Sequence, residues 1–248
     1  ALMMAYAHSY NSWADWRSGL DQGSESERSH EKPYTGGQNV IAQGLVSLTE
    51  VGGVTLAYLL LSAIATMLLA SQTTPWVWLP WGLVAACAPL YSWGKMNFTC
   101  ELWLALGFGP FAVVFGAAVE PGAEMARAFL AGIPFGIVFG GMAETVDQFW
   151  DADVNVPKGL RNLGALCWRR SWGLGTPLFL MALVTGAVHG ALVGIQVLSH
   201  WTMVALPVLG LIVLLAPLYE TKQKVGIMVG LALVMLYPLA ILVVEAVK

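Results

Sequence analysis

Long uninterrupted stretches of apolar residues are the feature that most limits what this chain can fold into. A helix needs about 20 apolar residues to cross the hydrocarbon core of a bilayer. Seven stretches approach or exceed that length: Val51–Ser71, Pro75–Trp93, Glu101–Val119, Gly122–Val146, Trp172–Leu198, Trp201–Leu218 and Val225–Val247. A shorter one, Ala1–Tyr10, runs into a polar segment, and no stretch alternates with period two as a membrane β-barrel would. The sequence therefore predicts an all-α fold, a polytopic transmembrane helical bundle.

The composition excludes several other classes of protein. Only 11% of the 248 residues are charged and 57% are hydrophobic, whereas a soluble domain carries about 25% charged residues. A net charge of −3 offers no basic face to a nucleic acid. The three cysteines have no CxxC spacing, so neither a zinc site nor a disulfide framework is expected.

The distribution of basic residues predicts the orientation of the bundle. If successive helices alternate in direction, ten of the twelve basic residues fall on one face: Arg17, Arg28, Lys32, Lys95, Lys158, Arg161, Arg169, Arg170, Lys222 and Lys224. Arg127 lies on the other face, and Lys248 is terminal. Because short cytoplasmic loops are enriched in Lys and Arg, we expect a multi-pass integral membrane protein whose polar segments face the cytoplasm.

Two acidic segments lie at helix ends on that face. In the first, Asn11 and Asp15 are four residues apart and Asp21 follows; in the second, Asp147 and Asp151 are four apart. Residues at that spacing share one face of a helix. Mg²⁺ typically binds one or two carboxylates together with substrate phosphates, so two such clusters predict a metal–diphosphate site. Basic residues that could neutralise phosphate oxygens follow both segments: Arg28, Lys32, Lys158 and Arg161.

The pattern around these segments resembles the UbiA superfamily of intramembrane prenyltransferases. The stretches that resemble its two aspartate-rich regions are Asn11–Asp21, Glu31–Gly37, Val40–Ser47 and Asp147–Arg161. Tyr91-Ser92 and Gly107–Pro110 are similar to the central helices of the branch that prenylates dihydroxynaphthoate in menaquinone synthesis. The resemblance covers essentially the whole chain.

The resemblance implies a fold, an activity and a set of site residues. The family has nine helices, so residues 1–248 would form a single prenyltransferase-like domain without the first helix and the start of the second. The activity would be transfer of a polyprenyl group from a polyprenyl diphosphate to an aromatic quinone precursor such as dihydroxynaphthoate, with Mg²⁺ assisting departure of the diphosphate. Asn11, Asp15, Asp21, Asp147 and Asp151 would serve catalysis, and the four aspartates would bind the metal. Arg28, Lys32, Lys158 and Arg161 would bind the diphosphate.

The chain departs from the family pattern at a few positions, which leaves a second interpretation open. Ser12 and Ala143 stand where the family usually has Asp and Asn, and Asn155 replaces a glycine. A catalytically degenerate member could instead bind lipid, quinone or pigment as a subunit of a larger membrane complex. Because all four motif aspartates persist, we favour the enzyme.

Three further features give expectations that the structure can check. His189, inside an apolar stretch, could ligate haem or a chlorophyll-type magnesium, but a neutral histidine bonded to a neighbouring helix is favoured. Glu144, three residues before Asp147, could tune the aromatic acceptor or cap a helix. The glycine-rich stretch Gly132–Gly141 is typical of close helix packing.

Overall fold

The computed structural model describes residues 1–22, 38–221 and 224–247, and every regular element in these ranges is helical. In chain order the helices are α1 (Leu2–Ser18), α2 (Gln38–Ala42), α3 (Leu48–Gln72), α4 (Trp78–Gly94), α5 (Cys100–Ala117), α6 (Met125–Trp150), α7 (Ala152–Asn155), α8 (Leu163–Arg169), α9 (Gly175–Gly194), α10 (Leu206–Leu214), α11 (Ala216–Glu220) and α12 (Lys224–Ala246). Five of them contain segments long and apolar enough to cross a membrane: α3, α5, α6, α9 and the Met228–Ala246 part of α12. The predicted all-helical fold with membrane-spanning helices is confirmed to this extent.

Two of the predicted apolar stretches contain a 3₁₀ turn as well as α-helix. Pro75–Trp93 begins with a 3₁₀ turn at Pro75–Val77 before α4. Trp201–Leu218 is divided between a 3₁₀ turn, α10 and α11. Pro217 lies at the start of α11 and has no backbone N–H to donate, so α10 does not continue through it.

The first acidic segment is the last part of a helix that ends in a sharp reversal. α1 extends to Ser18, so Asn11 and Asp15 lie one turn apart on the same face. Gly19 ends the helix in the left-handed conformation, with φ of 86°, which glycine adopts without steric cost. The chain then folds back, and the Asp21 N–H donates to the Asp15 carbonyl at 3.3 Å. This reversal brings the side chain of Asp21 into the same buried region as that of Asp15.

Helices α5 and α6 pack backbone to backbone through glycines. A Cβ atom built on Gly132 would lie 2.6 Å from Pro110 Cα, and one on Gly109 would lie 2.5 Å from the Gly132 carbonyl oxygen. Both helices also contain a π-helical segment, at Gly107–Phe111 and Ile137–Ala143. The expectation of close packing along Gly132–Gly141 is thus met, and it holds α6, the helix that carries Asp147 near its end, directly against α5.

A buried hydrogen-bond network joins α9 to α12. The two ring nitrogens of His189 lie 2.8 Å from the Tyr237 hydroxyl and 2.8 Å from the Thr202 hydroxyl. Because the Thr202 hydroxyl donates to the Ser199 carbonyl, it accepts from His189 Nε2–H, and Nδ1 accepts from Tyr237. Both nitrogens are therefore engaged, which supports the interpretation of His189 as a neutral, hydrogen-bonded residue rather than a pigment or haem ligand.

The glycine contact gives a prediction about stability. Gly132→Ala should lower the thermal unfolding temperature of the detergent-solubilised chain, because the added methyl group meets the backbone at Pro110; overpacking of this kind costs about 1–3 kcal/mol. Gly186→Ala in α9 is the matched control, since a Cβ there has no neighbour within 4 Å. Equal unfolding temperatures for the two variants would show that the α5–α6 contact is not tight.

Candidate functional site

A single cavity collects the residues of both acidic segments. It has a volume of about 530 Å³, within the range of small-molecule sites, and helices α1, α4, α5 and α6 supply most of its wall. All five residues predicted to serve catalysis line it: Asn11, Asp15, Asp21, Asp147 and Asp151. The two segments, 125 residues or more apart in sequence, therefore meet at one site.

The cavity changes from charged to apolar along its walls. Following α4 from its end inwards, the lining residues are Lys95, Tyr91, Ala88, Val84 and Trp81. The walls of the apolar part also include aromatic and sulfur-containing side chains: Met3, Met4, Phe108, Phe115 and Phe139. A ligand with an anionic head and a hydrocarbon tail matches this arrangement, because each part meets groups of its own polarity.

Lys95 is the residue of this site that the sequence analysis missed. The sequence places it only among the ten basic residues of one face, yet the residue is 5% exposed. Its Nζ lies 2.5 Å from Asp15 Oδ2 and 3.0 Å from Asn11 Oδ1. The backbone holds it there, since the Arg161 N–H donates to the Lys95 carbonyl at 2.7 Å. The spacing of Tyr91 and Lys95, four residues apart at one helix end, is the signal that could have revealed it.

The charge on Lys95 is stabilised by its neighbours. Burial by itself lowers the pKa of the Lys95 ammonium, but the nearby carboxylates of Asp15 and Glu144 raise that pKa above its ordinary value. Lys95 is therefore a permanent cation at the charged end of the cavity.

Tyr91 of α4 and Glu144 of α6 both line the cavity and meet in a hydrogen bond. The Tyr91 hydroxyl donates to Glu144 Oε1 at 2.8 Å, and Glu144 is only 6% exposed. Glu144 lies inside the continuous helix α6, not at its first turn, so its carboxylate does not cap that helix.

Carboxylates outnumber ammonium groups among the described residues that line the cavity. The carboxylates belong to Asp15, Asp21, Glu144, Asp147 and Asp151, and the ammonium group to Lys95. No three His, Cys, Asp or Glu side chains within the described ranges are grouped closely enough to hold a metal ion by themselves. A cation here would therefore take part of its coordination from a ligand.

Of the basic residues predicted to bind diphosphate, the two that the structure describes, Lys158 and Arg161, do not line the cavity. Lys158 Nζ donates to the carbonyl oxygens of Leu20 and Gln22 at 2.6 and 2.7 Å, and so ties the loop after the second segment to the end of the first. The side chain of Arg161 is exposed. Arg28 and Lys32 lie outside the described residues. Among the described residues, Lys95 is the basic side chain placed to meet a diphosphate.

Comparison with known proteins adds no family assignment. No family model, curated protein or solved structure matches the chain. The geometry of the cavity and the residue pattern of its two acidic segments are therefore the basis for the functional argument.

The buried ion pair gives a prediction that needs no substrate. Lys95→Met should destabilise the protein by about 3–5 kcal/mol, because it leaves the buried Asp15 carboxylate without its cation. Adding Asp15→Asn to that variant should restore much of the loss, since the uncompensated charge is then gone. Chemical unfolding of the two single variants and the double variant measures the coupling; strictly additive effects would contradict a direct interaction.

Proposed function

We propose that this chain is a membrane-embedded prenyltransferase of the UbiA type. It transfers a polyprenyl group from a polyprenyl diphosphate to an aromatic quinone precursor, of which a dihydroxynaphthoate-like compound is the first choice. The observation that carries the proposal is the single cavity with both acidic segments at one end and an apolar lining at the other. The resemblance of those segments to the two aspartate-rich regions of the family supports it independently.

The excess of carboxylates in the cavity lining supports the proposal that a divalent cation binds together with the substrate. A diphosphate is strongly anionic, and the described lining offers it five carboxylates and one ammonium group. Without cations, repulsion would exclude it from the charged end. The donor set fits Mg²⁺, because this ion accepts one or two carboxylates and completes its shell with substrate phosphates and water. Asp15 and Asp21 of the first segment, and Asp147 and Asp151 of the second, would hold Mg²⁺ ions that complete their coordination with diphosphate oxygens and water.

The residues of the chain have two further roles, which are to stabilise the leaving diphosphate and to enclose the prenyl tail. Mg²⁺, when bound, supplies neutralisation of the charge that develops on the departing diphosphate. Lys95 contributes a fixed positive charge to the charged end of the cavity. Because Lys95 is buried, water screens this charge only weakly. The apolar walls formed by Val84, Phe108 and Phe139 hold the prenyl tail and keep water from the reacting carbon.

The orientation proposed for the protein follows from its basic residues. The apolar helices cross the membrane several times, and the charged end of the cavity opens at the cytoplasmic face, where the positive-inside rule places Lys- and Arg-rich loops. A water-soluble diphosphate product could then leave on that side.

A non-catalytic role is the second candidate. The ion pair between Lys95 and Asp15 already neutralises one motif aspartate, and Lys158 binds backbone carbonyls. A protein that kept the cavity and lost turnover would serve as a lipid-, quinone- or pigment-binding subunit of a larger complex. Binding of ligand without release of diphosphate is the result that would select this role.

Turnover by the full chain in lipid nanodiscs tests the proposal. We expect Mg²⁺-dependent release of diphosphate from a polyprenyl diphosphate when a hydroxylated aromatic acceptor is present, and loss of release on addition of EDTA. Asp151→Asn should reduce the rate by about 100-fold or more, the scale seen when one charge-stabilising group is removed from an active site.

Asp153→Asn is the matched control. It removes a carboxylate two residues away that does not line the cavity, so its rate should stay within about twofold of the unmodified protein. The account is wrong if Asp153→Asn and Asp151→Asn behave alike, or if no acceptor in a panel of quinone and pigment precursors supports turnover.

A further inference from the structure

Tyr91 and Glu144 form a polar layer between the charged and apolar ends of the cavity. Tyr91 lies four residues before Lys95 on the α4 side, and Glu144 lies three residues before Asp147 on α6. With a rise of about 1.5 Å per residue, this layer is about 4–6 Å deeper in the cavity than those charged groups. Beyond it the lining becomes apolar, beginning with Ala88.

The Glu144 carboxylate has hydrogen-bonding capacity that the described residues do not use. Its Oε1 accepts the Tyr91 hydroxyl, and Oε2 has no hydrogen-bond partner among the described residues. A carboxylate can accept about four hydrogen bonds, and leaving such a group underused in a buried position costs free energy. Glu144 is more than nine-tenths buried and borders the cavity, so a bound molecule can supply the missing donor.

The proposed binding mode places the reacting atoms at this level. With the diphosphate among the motif aspartates and the tail among the apolar side chains, the first prenyl carbon lies between them. An attacking ring carbon must come within about 3–3.5 Å of that carbon. The ring of the acceptor therefore lies beside Tyr91 and Glu144, and its polar substituents meet this layer first.

We propose that Glu144 is the residue that binds the aromatic acceptor, its Oε2 accepting a hydrogen bond from a ring hydroxyl while Tyr91 holds the carboxylate in place. The inference takes the class of substrate from the proposed function. It adds that Glu144 is the group that selects rings carrying a hydroxyl. An analogue without a hydroxyl leaves Glu144 Oε2 buried without a hydrogen-bond partner, and sites of this kind discriminate strongly against such analogues.

Equilibrium binding to the full chain in nanodiscs tests the inference without requiring turnover. The probes are 1,4-dihydroxy-2-naphthoate and its dimethyl ether, followed by quenching of tryptophan fluorescence; Trp81 and Trp103 line the cavity. We expect the diol to bind about 10-fold more tightly than the ether, the scale of one hydrogen bond whose loss leaves a buried polar atom unsatisfied. Glu144→Gln should lose most of this preference, and Glu144→Leu should lose all of it.

Asp147→Asn provides the reciprocal control. It should keep the preference for the diol and lose Mg²⁺-dependent binding of a polyprenyl diphosphate, whereas Glu144→Gln should bind the diphosphate within about twofold of the unmodified protein. An unchanged preference for the diol in Glu144→Gln, or no preference in the unmodified protein, overturns the inference. Parallel loss of diphosphate binding in Glu144→Gln also overturns it, because Glu144 would then belong to the cation site.

A different experimental result would show that the proposed transferase function is wrong. An unmodified protein that prefers the diol through Glu144 but never releases diphosphate would refute the transferase and leave the acceptor subsite intact. The subsite would then belong to a protein that binds a quinone precursor without reacting it.

Discussion

Burial of several carboxylates at one end of an apolar helical bundle is the constraint on which the rest of the structure depends. Removing a carboxylate from water costs several kcal/mol unless a cation or hydrogen-bond donors replace the water. The chain meets part of this requirement with Lys95, which lies 2.5 Å from Asp15 and is itself buried. The negative charge that the lining retains favours cations, and through them an anionic ligand. This is why a diphosphate bound together with Mg²⁺ is the ligand proposed for the site.

The scaffold keeps the two acidic segments in contact across a long separation in sequence. Lys158 joins the loop beyond the second segment to the carbonyls that end the first. Leu20 packs against Leu160 and Ala165 beneath that contact. The glycine contacts between α5 and α6 hold the second segment from the other side. Rigid support of this kind matters because charge stabilisation depends on groups that are already in place when the ligand binds.

Sequence patterns predicted the helices well because helix formation depends mainly on the local sequence. Apolar stretches of bilayer length identify helices whatever their partners, and a spacing of four places Asn11 with Asp15 on one face of α1. Asp151 instead follows the last residue of α6, the helix that carries Asp147. Patterns also indicated that the two segments share a face of the bundle. The division of Trp201–Leu218 before Pro217 was not predicted, because a proline in an apolar stretch either kinks or ends a helix depending on its packing.

The charged contacts were less predictable because they are made between distant parts of the chain. Lys95 looked like an ordinary loop residue, and only the folded structure shows it buried against Asp15, 80 residues away. Lys158 is predicted to bind diphosphate, and the structure adds contacts that the sequence did not indicate, from its ammonium group to the Leu20 and Gln22 carbonyls just after α1. Long side chains such as lysine reach several candidate partners, so the local sequence does not determine which partner they take.

The central claim is that both acidic segments hold one diphosphate, and equilibrium binding of a non-reactive polyprenyl thiodiphosphate tests it most directly. The account predicts tight binding only with Mg²⁺, weakened at least about 10-fold by Asp15→Asn and also by Asp151→Asn, the cost of one hydrogen-bonded charge at a site. Asp153→Asn should bind as the unmodified protein does. Full affinity in either of the first two variants, or binding that is indifferent to Mg²⁺, would contradict a shared site.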